Sequence, residues 1–77
     1  MELEIRLYNE FKKYSPEIDY VFSMSFTAGD TVQDVLRALK IPADMPSVVL
    51  LNGRRVDADT RINSESKLVV FSPVSGG

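Results

Sequence analysis

The chain has 77 residues, a formal net charge of −2 and no cysteine, histidine or tryptophan. Without cysteine it forms no disulfide bond, thiolate–zinc site or cysteine nucleophile, and without histidine it has no imidazole to act as a general base or metal ligand. We therefore expect neither a metal site nor an enzyme with a complete active site of its own. A binding or carrier role is favoured instead.

The composition is that of a globular domain, with 44% hydrophobic and 26% charged residues. Nine Lys and Arg stand against eleven Asp and Glu without a basic block, so nucleic acid is not an expected partner. No apolar run approaches the roughly 20 residues of a membrane span. The segment Met1–Glu4 carries acid where a signal peptide carries base, so we expect a cytoplasmic protein without a membrane partner.

The N-terminal segment alternates between apolar and polar residues. Leu3, Ile5 and Leu7 occupy every second position, which predicts a half-buried strand. Leu7, Phe11 and Tyr14 follow at helical spacing, which predicts a short helix before a Ser-Pro-Glu turn. The same segment is also compatible with one arm of a long hairpin.

Residues 18–27 predict a second strand. Tyr20, Phe22, Met24 and Phe26 share one face of it. We interpret Phe22, Met24 and Phe26 as core rather than as a binding surface.

The next segment carries the signals of an α-helix. Thr31 and Asp34 have the spacing of a capping box. Behind them runs an apolar stripe of four residues, Val32, Val35, Leu36 and Leu39. We expect Pro42 to stop this helix.

The C-terminal half predicts three more strands. Residues 47–51 form a continuous apolar run, typical of a strand covered on both faces. Asn52-Gly53 indicates a tight hairpin turn, with residues 54–56 as the return arm. Residues 57–66 are polar and turn-like, and residues 68–71 predict the last strand.

These elements predict an α+β fold, a mixed four- to five-stranded sheet with one main helix packed on one face. If the two terminal strands lie side by side in the middle, the arrangement is by analogy the β-grasp of ubiquitin. We assign residues 1–71 to a single β-grasp domain and residues 72–77 to a flexible C-terminal tail ending in Gly-Gly.

Charged clusters offer few candidate sites. Arg54 and Arg55, with Arg61 nearby, could bind an acidic partner, although an ordinary charged hairpin arm explains them more simply. Asp57 and Asp59 lack a third ligand and are interpreted as a solvated turn.

The tail offers a reactive group that needs no catalytic side chain. The α-carboxylate of Gly77 is ionised at neutral pH and can attack the α-phosphate of ATP. Gly77 leaves its carbonyl unhindered by a Cβ, and Gly76 permits backbone angles that other residues resist. A rigid body with such a tail is the design of a carrier protein, with simple terminal fraying as the alternative.

Several segments resemble the ThiS/MoaD family of small sulfur carriers, which includes the small subunit of molybdopterin synthase and the thiamine-pathway carrier. The ending Phe71-Ser72-Pro73-Val74-Ser75-Gly76-Gly77 is similar to the Phe-Pro-Pro-Val-x-Gly-Gly ending of the molybdopterin branch, although Ser72 replaces its first proline. Ile5–Tyr8 resembles the family's opening strand, and the Leu7/Phe11/Tyr14 spacing resembles its short helix. Gly29–Val32 resembles its Gly-x-Thr-Val helix start, and Leu51–Gly53 resembles its hairpin.

The resemblance implies that Gly77 is adenylated by a ubiquitin-activating-type enzyme that uses ATP, and that a persulfide donor converts it to a thiocarboxylate. A synthase large subunit, or a thiazole synthase in the thiamine branch, would then withdraw the sulfur. The protein itself would bind no cofactor and would have no active site of its own. Phe71, Pro73, Val74 and Ser75 would border the partner-docking surface, with Arg54 and Arg55 as weaker contacts to the activating enzyme.

Three alternatives remain open. The Phe71–Gly77 segment favours molybdopterin as the destination of the sulfur, but the sulfur could instead go to the thiazole of thiamine. The activated Gly77 could instead end in an isopeptide bond to a lysine, as in a ubiquitin-like protein modifier. The chain could also be a β-grasp binding module whose tail is incidental.

Overall fold

The computed structural model describes residues 1–16 and 19–73. Their strands are β1 (Glu2–Leu7), β2 (Val21–Ser25), β3 (Asp30–Thr31), β4 (Val48–Leu51), β5 (Arg54–Val56), β6 (Arg61–Ile62) and β7 (Ser66–Phe71). A 3₁₀-helix covers Asn9–Tyr14, and an α-helix, α1, covers Val32–Ala38. In the described part of the chain, neither helix has the length and hydropathy needed to cross a bilayer.

Five strands form one mixed sheet in the order β2-β1-β7-β4-β5. At its centre β1 and β7 run parallel to each other, whereas β2 pairs antiparallel with β1 and β4 pairs antiparallel with both β7 and β5. The predicted α+β class, the mixed sheet and the adjacency of the two terminal strands are therefore confirmed. Strands β1 and β7 are neighbours in the sheet but lie far apart in the sequence, so the centre of the sheet forms only when these distant segments pair.

The core lies between α1 and one face of this sheet. It takes alternate residues of the central strands, together with the apolar stripe of the helix, because successive side chains of a strand point to opposite faces. The fully buried members include Leu3, Ile5, Leu7, Leu68 and Val70. Phe22 and Phe26 are also buried and Met24 packs against the core cluster, which confirms the interpretation of these three residues as core.

Helix α1 begins with the predicted capping box. The Thr31 hydroxyl accepts a hydrogen bond from the Asp34 backbone N–H at 3.1 Å, and the Thr31 N–H donates to the Asp34 carboxylate at 2.9 Å. The helix ends before the predicted stop at Pro42, because Lys40 turns to φ = 64° and the Ile41 N–H donates to the Leu36 carbonyl at 3.0 Å. This hydrogen bond is that of a Schellman motif, here with Lys in place of Gly.

The structure differs from prediction between β1 and β2. The expected short helix is a 3₁₀-helix, with Phe11 buried beneath it. Strand β2 starts at Val21, not at residue 18, and Tyr20 is 45% exposed instead of continuing the core stripe. Ser15 Oγ donates to the carbonyl of Asp19 at 2.8 Å, which links the end of the 3₁₀-helix to the residues that precede β2.

The C-terminal half contains the predicted hairpin and one strand pair that the sequence did not indicate. Asn52 and Gly53 adopt φ values of 53° and 84°, as the type I′ turn between β4 and β5 requires. The polar segment 57–66, expected to be turn alone, contributes β6, which pairs antiparallel with β3 just before the helix. This two-stranded sheet ties the start of α1 to the chain that leads into β7.

Candidate functional site

The residues expected to form the docking surface begin at the end of β7. Phe71 is the last residue of that strand and is partly buried, and Pro73 is exposed two residues further on. Val74, Ser75, Gly76 and Gly77 lie outside the described residues. The structure therefore defines where the proposed tail leaves the domain.

The sheet face opposite α1 carries an apolar patch beside this exit. Val48 lies opposite Phe71, and Leu50 lies opposite Val69, across the antiparallel pair β4–β7. Their neighbours Val49, Leu68 and Val70 belong to the core cluster on the other face. We call Val48, Leu50, Val69 and Phe71 the outer patch. Val48 is buried, at 9% exposure, whereas Leu50, Val69 and Phe71 are half-buried and present apolar surface to solvent.

One row of neighbouring residues crosses all five strands and passes through the outer patch. The registers align Val21, Arg6, Val69, Leu50 and Arg55 in that order. Arg6 pairs with Glu4 at 3.2 Å, and Val21 is 45% exposed. This face thus combines an apolar centre with basic residues on both sides, a composition suited to a protein interface with acidic groups at its rim.

The strand end where the chain leaves the sheet is held by two hydrogen bonds. The Tyr8 N–H donates to the Val70 carbonyl at 3.0 Å. The Ser72 N–H then donates to the side-chain oxygen of Asn9 at 3.0 Å. Ordered pairing therefore extends one residue beyond Phe71.

A groove of about 390 Å³ lies next to this exit, lined by Leu7, Tyr8, Lys12, Asp19, Tyr20 and Val21. Tyr8 and Tyr20 are 43% and 45% exposed. The Lys12 Nζ lies 4.7 Å from the centroid of the Tyr20 ring, a cation–π contact. The groove extends the apolar surface around the strand end.

The structure separates the arginines that the sequence grouped. Arg54 and Arg55 are both exposed, but they are consecutive in β5 and so point to opposite faces of the sheet. Arg55 lies opposite Leu50, on the face of the outer patch. Arg61 donates to the Gly29 carbonyl at 2.9 Å. Of the three, Arg55 is the one placed beside the candidate docking surface.

Among the ionisable groups of the described residues, Asp34 has a pKa that is shifted by local hydrogen bonds. Hydrogen bonds from the backbone and side chain of Thr31 lower the pKa of Asp34 below its ordinary value, which is the chemistry of a helix cap. Within the described ranges no polar or charged side chain is buried, and no group of three or more acidic residues could hold a metal ion.

Two features of this site were missed at the level of sequence. The run Val48–Leu51 indicated a strand covered on both faces, but α1 covers only one of them, so the outer residues were not recognised as surface. Asn9 lies inside the segment predicted as a short helix, and its left-handed backbone, φ = 58°, has no pattern signature. The apolar run itself was the available signal for the outer patch, because contiguous apolar residues on an uncovered sheet face are typical of an interaction surface.

Comparison with known proteins places this architecture in a class. The fold matches SAMP1 of Haloferax volcanii with a TM-score of 0.75, at 21% identity over 100% of both chains. It matches the HVO 2177 protein of Haloferax volcanii with a TM-score of 0.77, at 29% identity over 100% of this chain and 87% of the other. A further match, with a TM-score of 0.62 and 17% identity over 100% of both chains, is to the complex of molybdopterin-converting factor subunits 1 and 2 from Helicobacter pylori.

The class defined by the fold is therefore the ubiquitin-like β-grasp proteins. The ThiS family model matches residues 8–77, and the chain belongs to the ThiS family of small ubiquitin-like sulfur carriers. None of the curated proteins matches the chain.

Proposed function

We propose that this protein carries sulfur as a thiocarboxylate on Gly77 and delivers it to a synthase during cofactor biosynthesis, with the molybdopterin pathway favoured. The observation that carries the proposal is the outer patch beside the end of β7, in a chain that belongs to the ThiS family. It gives the carrier a docking face next to the point from which its reactive end extends.

The chemistry requires other proteins at every step. A carboxylate oxygen of Gly77 attacks the α-phosphorus of ATP on a ubiquitin-activating-type enzyme, and pyrophosphate leaves. The terminal sulfur of a persulfide donor then attacks the acyl carbon, and AMP leaves. A thiol cleaves the resulting sulfur–sulfur bond, which releases the thiocarboxylate and leaves a disulfide on the donor side. ATP is consumed by the partner, and this chain supplies only the acyl group.

We propose that the outer patch docks the partner while the tail reaches its active site. A docked partner would bury Leu50, Val69 and Phe71, which the free chain leaves partly exposed. Burial of apolar surface at the centre of an interface supplies most of the binding free energy, and rim charges such as Arg6 and Arg55 set its orientation.

The favoured recipient is a synthase large subunit. The complex of molybdopterin-converting factor subunits 1 and 2 shows that a protein of this fold assembles with a second subunit. The Phe71–Gly77 segment resembles the molybdopterin branch, whereas a thiazole synthase is the corresponding partner in the thiamine branch.

Protein modification is the second candidate function. The fold of SAMP1 is also that of this chain, and a related structure is named small archaeal modifier protein 1. Both functions use an activated Gly77 and differ only in the last acceptor, a sulfur or a lysine amine.

Affinity purification of the chain with its C-terminal end free, followed by identification of the bound proteins, tests the proposal. Recovery of an adenylating enzyme together with a synthase large subunit is expected. A matched variant, Leu50→Glu, should lose the synthase subunit, because it places a charge in the centre of the outer patch. Equal recovery with this variant would contradict docking through that face.

A further inference from the structure

We infer that the free edge of β2 is a docking site for an extended segment of a partner protein, which adds to the sheet as a sixth strand. β2 lies at one end of the five-stranded sheet, and among the strands of the described residues only β1 pairs with it. The inference concerns a surface other than the outer patch and does not depend on the chemistry of Gly77.

The register shows which backbone groups of β2 point away from the sheet. The Leu7 N–H donates to the Tyr20 carbonyl at 3.0 Å, and the Phe26 N–H donates to the Met1 carbonyl at 2.9 Å. In an antiparallel pair, residues that exchange hydrogen bonds with the neighbouring strand alternate with residues whose N–H and C=O point outward. Three residues of β2 therefore direct their N–H and C=O groups to the free edge: Val21, Ser23 and Ser25.

The two edges of the sheet differ in their protection against pairing. Natural proteins protect an exposed edge by keeping it short and by placing charged residues or proline on it. Strand β5, at the other edge, has three residues, and two of them are exposed arginines. Strand β2 has five residues, none of them charged or proline, and its outward residues Val21, Ser23 and Ser25 are exposed. The β2 edge therefore has the composition of a strand that accepts another strand.

The two ends of this edge favour different side chains in the added strand. At one end, Ser25 Oγ donates to the Glu2 carboxylate at 2.9 Å, and the Glu2 N–H donates to the Glu65 carboxylate at 3.1 Å. An added residue opposite Ser25 lies about 4.8 Å from it, so a lysine or arginine there reaches the Glu2 carboxylate. At the other end Val21 is 45% exposed and borders the groove beside Tyr20. An apolar residue opposite Val21 covers this surface.

These requirements define the partner segment when it runs antiparallel to β2, which is the more stable direction of pairing. Its basic residue comes first and lies opposite Ser25. A polar residue follows two positions later, opposite Ser23, and an apolar residue four positions later, opposite Val21. The two intervening residues point to the face that carries the half-buried Met24, where apolar β-branched side chains pack well.

A second copy of the chain fits this edge less well than such a segment. Two β2 strands paired about a twofold axis at Ser23 would place Val21 of one copy, not a basic residue, opposite Ser25 of the other. This contact would use only the five residues of β2 on each side, whereas a stable interface needs about 20 to 30. An extended segment gains its affinity from main-chain hydrogen bonds with the outward groups of β2 and needs no large interface.

The probe is the peptide acetyl-Arg-Val-Thr-Val-Val-amide, titrated into the full-length chain and followed by amide chemical shifts in NMR. We expect the largest shifts at Val21, Ser23 and Ser25. Methylation of the backbone nitrogen of the central threonine, which faces β2, should weaken binding about tenfold or more, because it removes a hydrogen bond and forces the strands apart. Methylation of the second residue, whose N–H points away from β2, is the matched control and should leave the affinity within about twofold.

Charge provides an independent readout. Glu2→Gln should weaken binding of the peptide about 2- to 5-fold, which corresponds to one exposed ion pair. Glu10→Gln removes the same charge from an exposed position of the 3₁₀-helix and should leave the affinity unchanged. The reversed peptide, acetyl-Val-Val-Thr-Val-Arg-amide, should bind about 2- to 5-fold more weakly than the first, because it moves the arginine away from Glu2.

Three results would overturn the inference. The first is the absence of shifts at these amides of β2. The second is an equal effect of the two methylations, or a reversed peptide that binds as tightly as the first, because the segment would then not pair as an antiparallel strand. The third is a shift of the same amides with increasing concentration of the chain alone, which would show that a second copy covers the edge. Each of these results leaves the proposed function of Gly77 untouched.

Discussion

Two adjacent residues of β7 allow the proposed docking to be tested separately from folding, because they lie on opposite faces of the sheet. Val70 is fully buried in the core, whereas Phe71 is partly buried in the outer patch. Val70→Ala removes two methyl groups and leaves a cavity, at a cost of about 2 to 3 kcal/mol in unfolding free energy. Phe71→Ala, at a half-covered site, should cost about 2 kcal/mol, below the full core value. Both losses correspond to a fall in Tm of roughly 10 °C or more.

The two variants should differ in binding. A partner that covers the part of the Phe71 ring left exposed removes on the order of 50 Å² of apolar surface from water, or about 1.2 kcal/mol. Phe71→Ala should therefore weaken binding to the synthase large subunit of the same host by roughly eightfold. Val70→Ala should bind as the wild-type chain does at a temperature where both are folded.

Isothermal titration calorimetry at low temperature measures these affinities, with circular dichroism melts to establish the folded fraction. Wild-type affinity in Phe71→Ala would refute docking through the outer patch. Equal losses of affinity in the two variants would also refute it, since the effect would then follow stability and not the exposed face.

Three further predictions concern the body of the protein. Thr31→Ala removes the hydroxyl that accepts from the Asp34 N–H and should lower the unfolding free energy by about 1 kcal/mol, measured by urea denaturation; unchanged stability would contradict a working cap. Because the pKa of Asp34 is lowered in the folded chain, the stability that its carboxylate contributes should be fully present above the unfolded pKa of about 3.9. This contribution should decline as pH falls below that value. Thermal melts across this pH range should show that the Tm of Asp34→Asn changes less with pH than the Tm of the wild-type chain. A fall in Tm at acid pH as steep as that of the wild-type chain would contradict this assignment. Arg55→Glu should slow association with the synthase subunit in stopped-flow measurements more than Arg54→Glu, because Arg55 shares the face of the outer patch; equal effects would contradict that placement.

Local patterns predicted the fold well where one physical rule dominated. The alternation of Leu3, Ile5 and Leu7, the capping box and the Asn-Gly turn each act over a few residues, and each appears in the structure as expected. The adjacency of β1 and β7 rested on analogy, because no local pattern encodes which strands pair across the whole chain.

Prediction failed where distant contacts decide local structure. Residues 61 and 62 form a strand only because Asp30 and Thr31 offer an edge before the helix. The helix stops short of Pro42 because Lys40 accepts a left-handed backbone while Leu36 and Ile41 both remain buried. The candidate site shows the same limit, since the partner of Asn9 lies at the other end of the sequence.

Sulfur carried on the carboxylate of Gly77 is directly detectable by intact mass spectrometry of the chain, purified from its host with an N-terminal tag and a free C-terminal end. We expect a species heavier by the difference between sulfur and oxygen, localised to the C-terminal peptide and absent when Gly77 is deleted. An unmodified C-terminal peptide, with high-mass lysine conjugates that disappear when Gly76 and Gly77 are deleted, would contradict the sulfur carrier and establish the modifier instead.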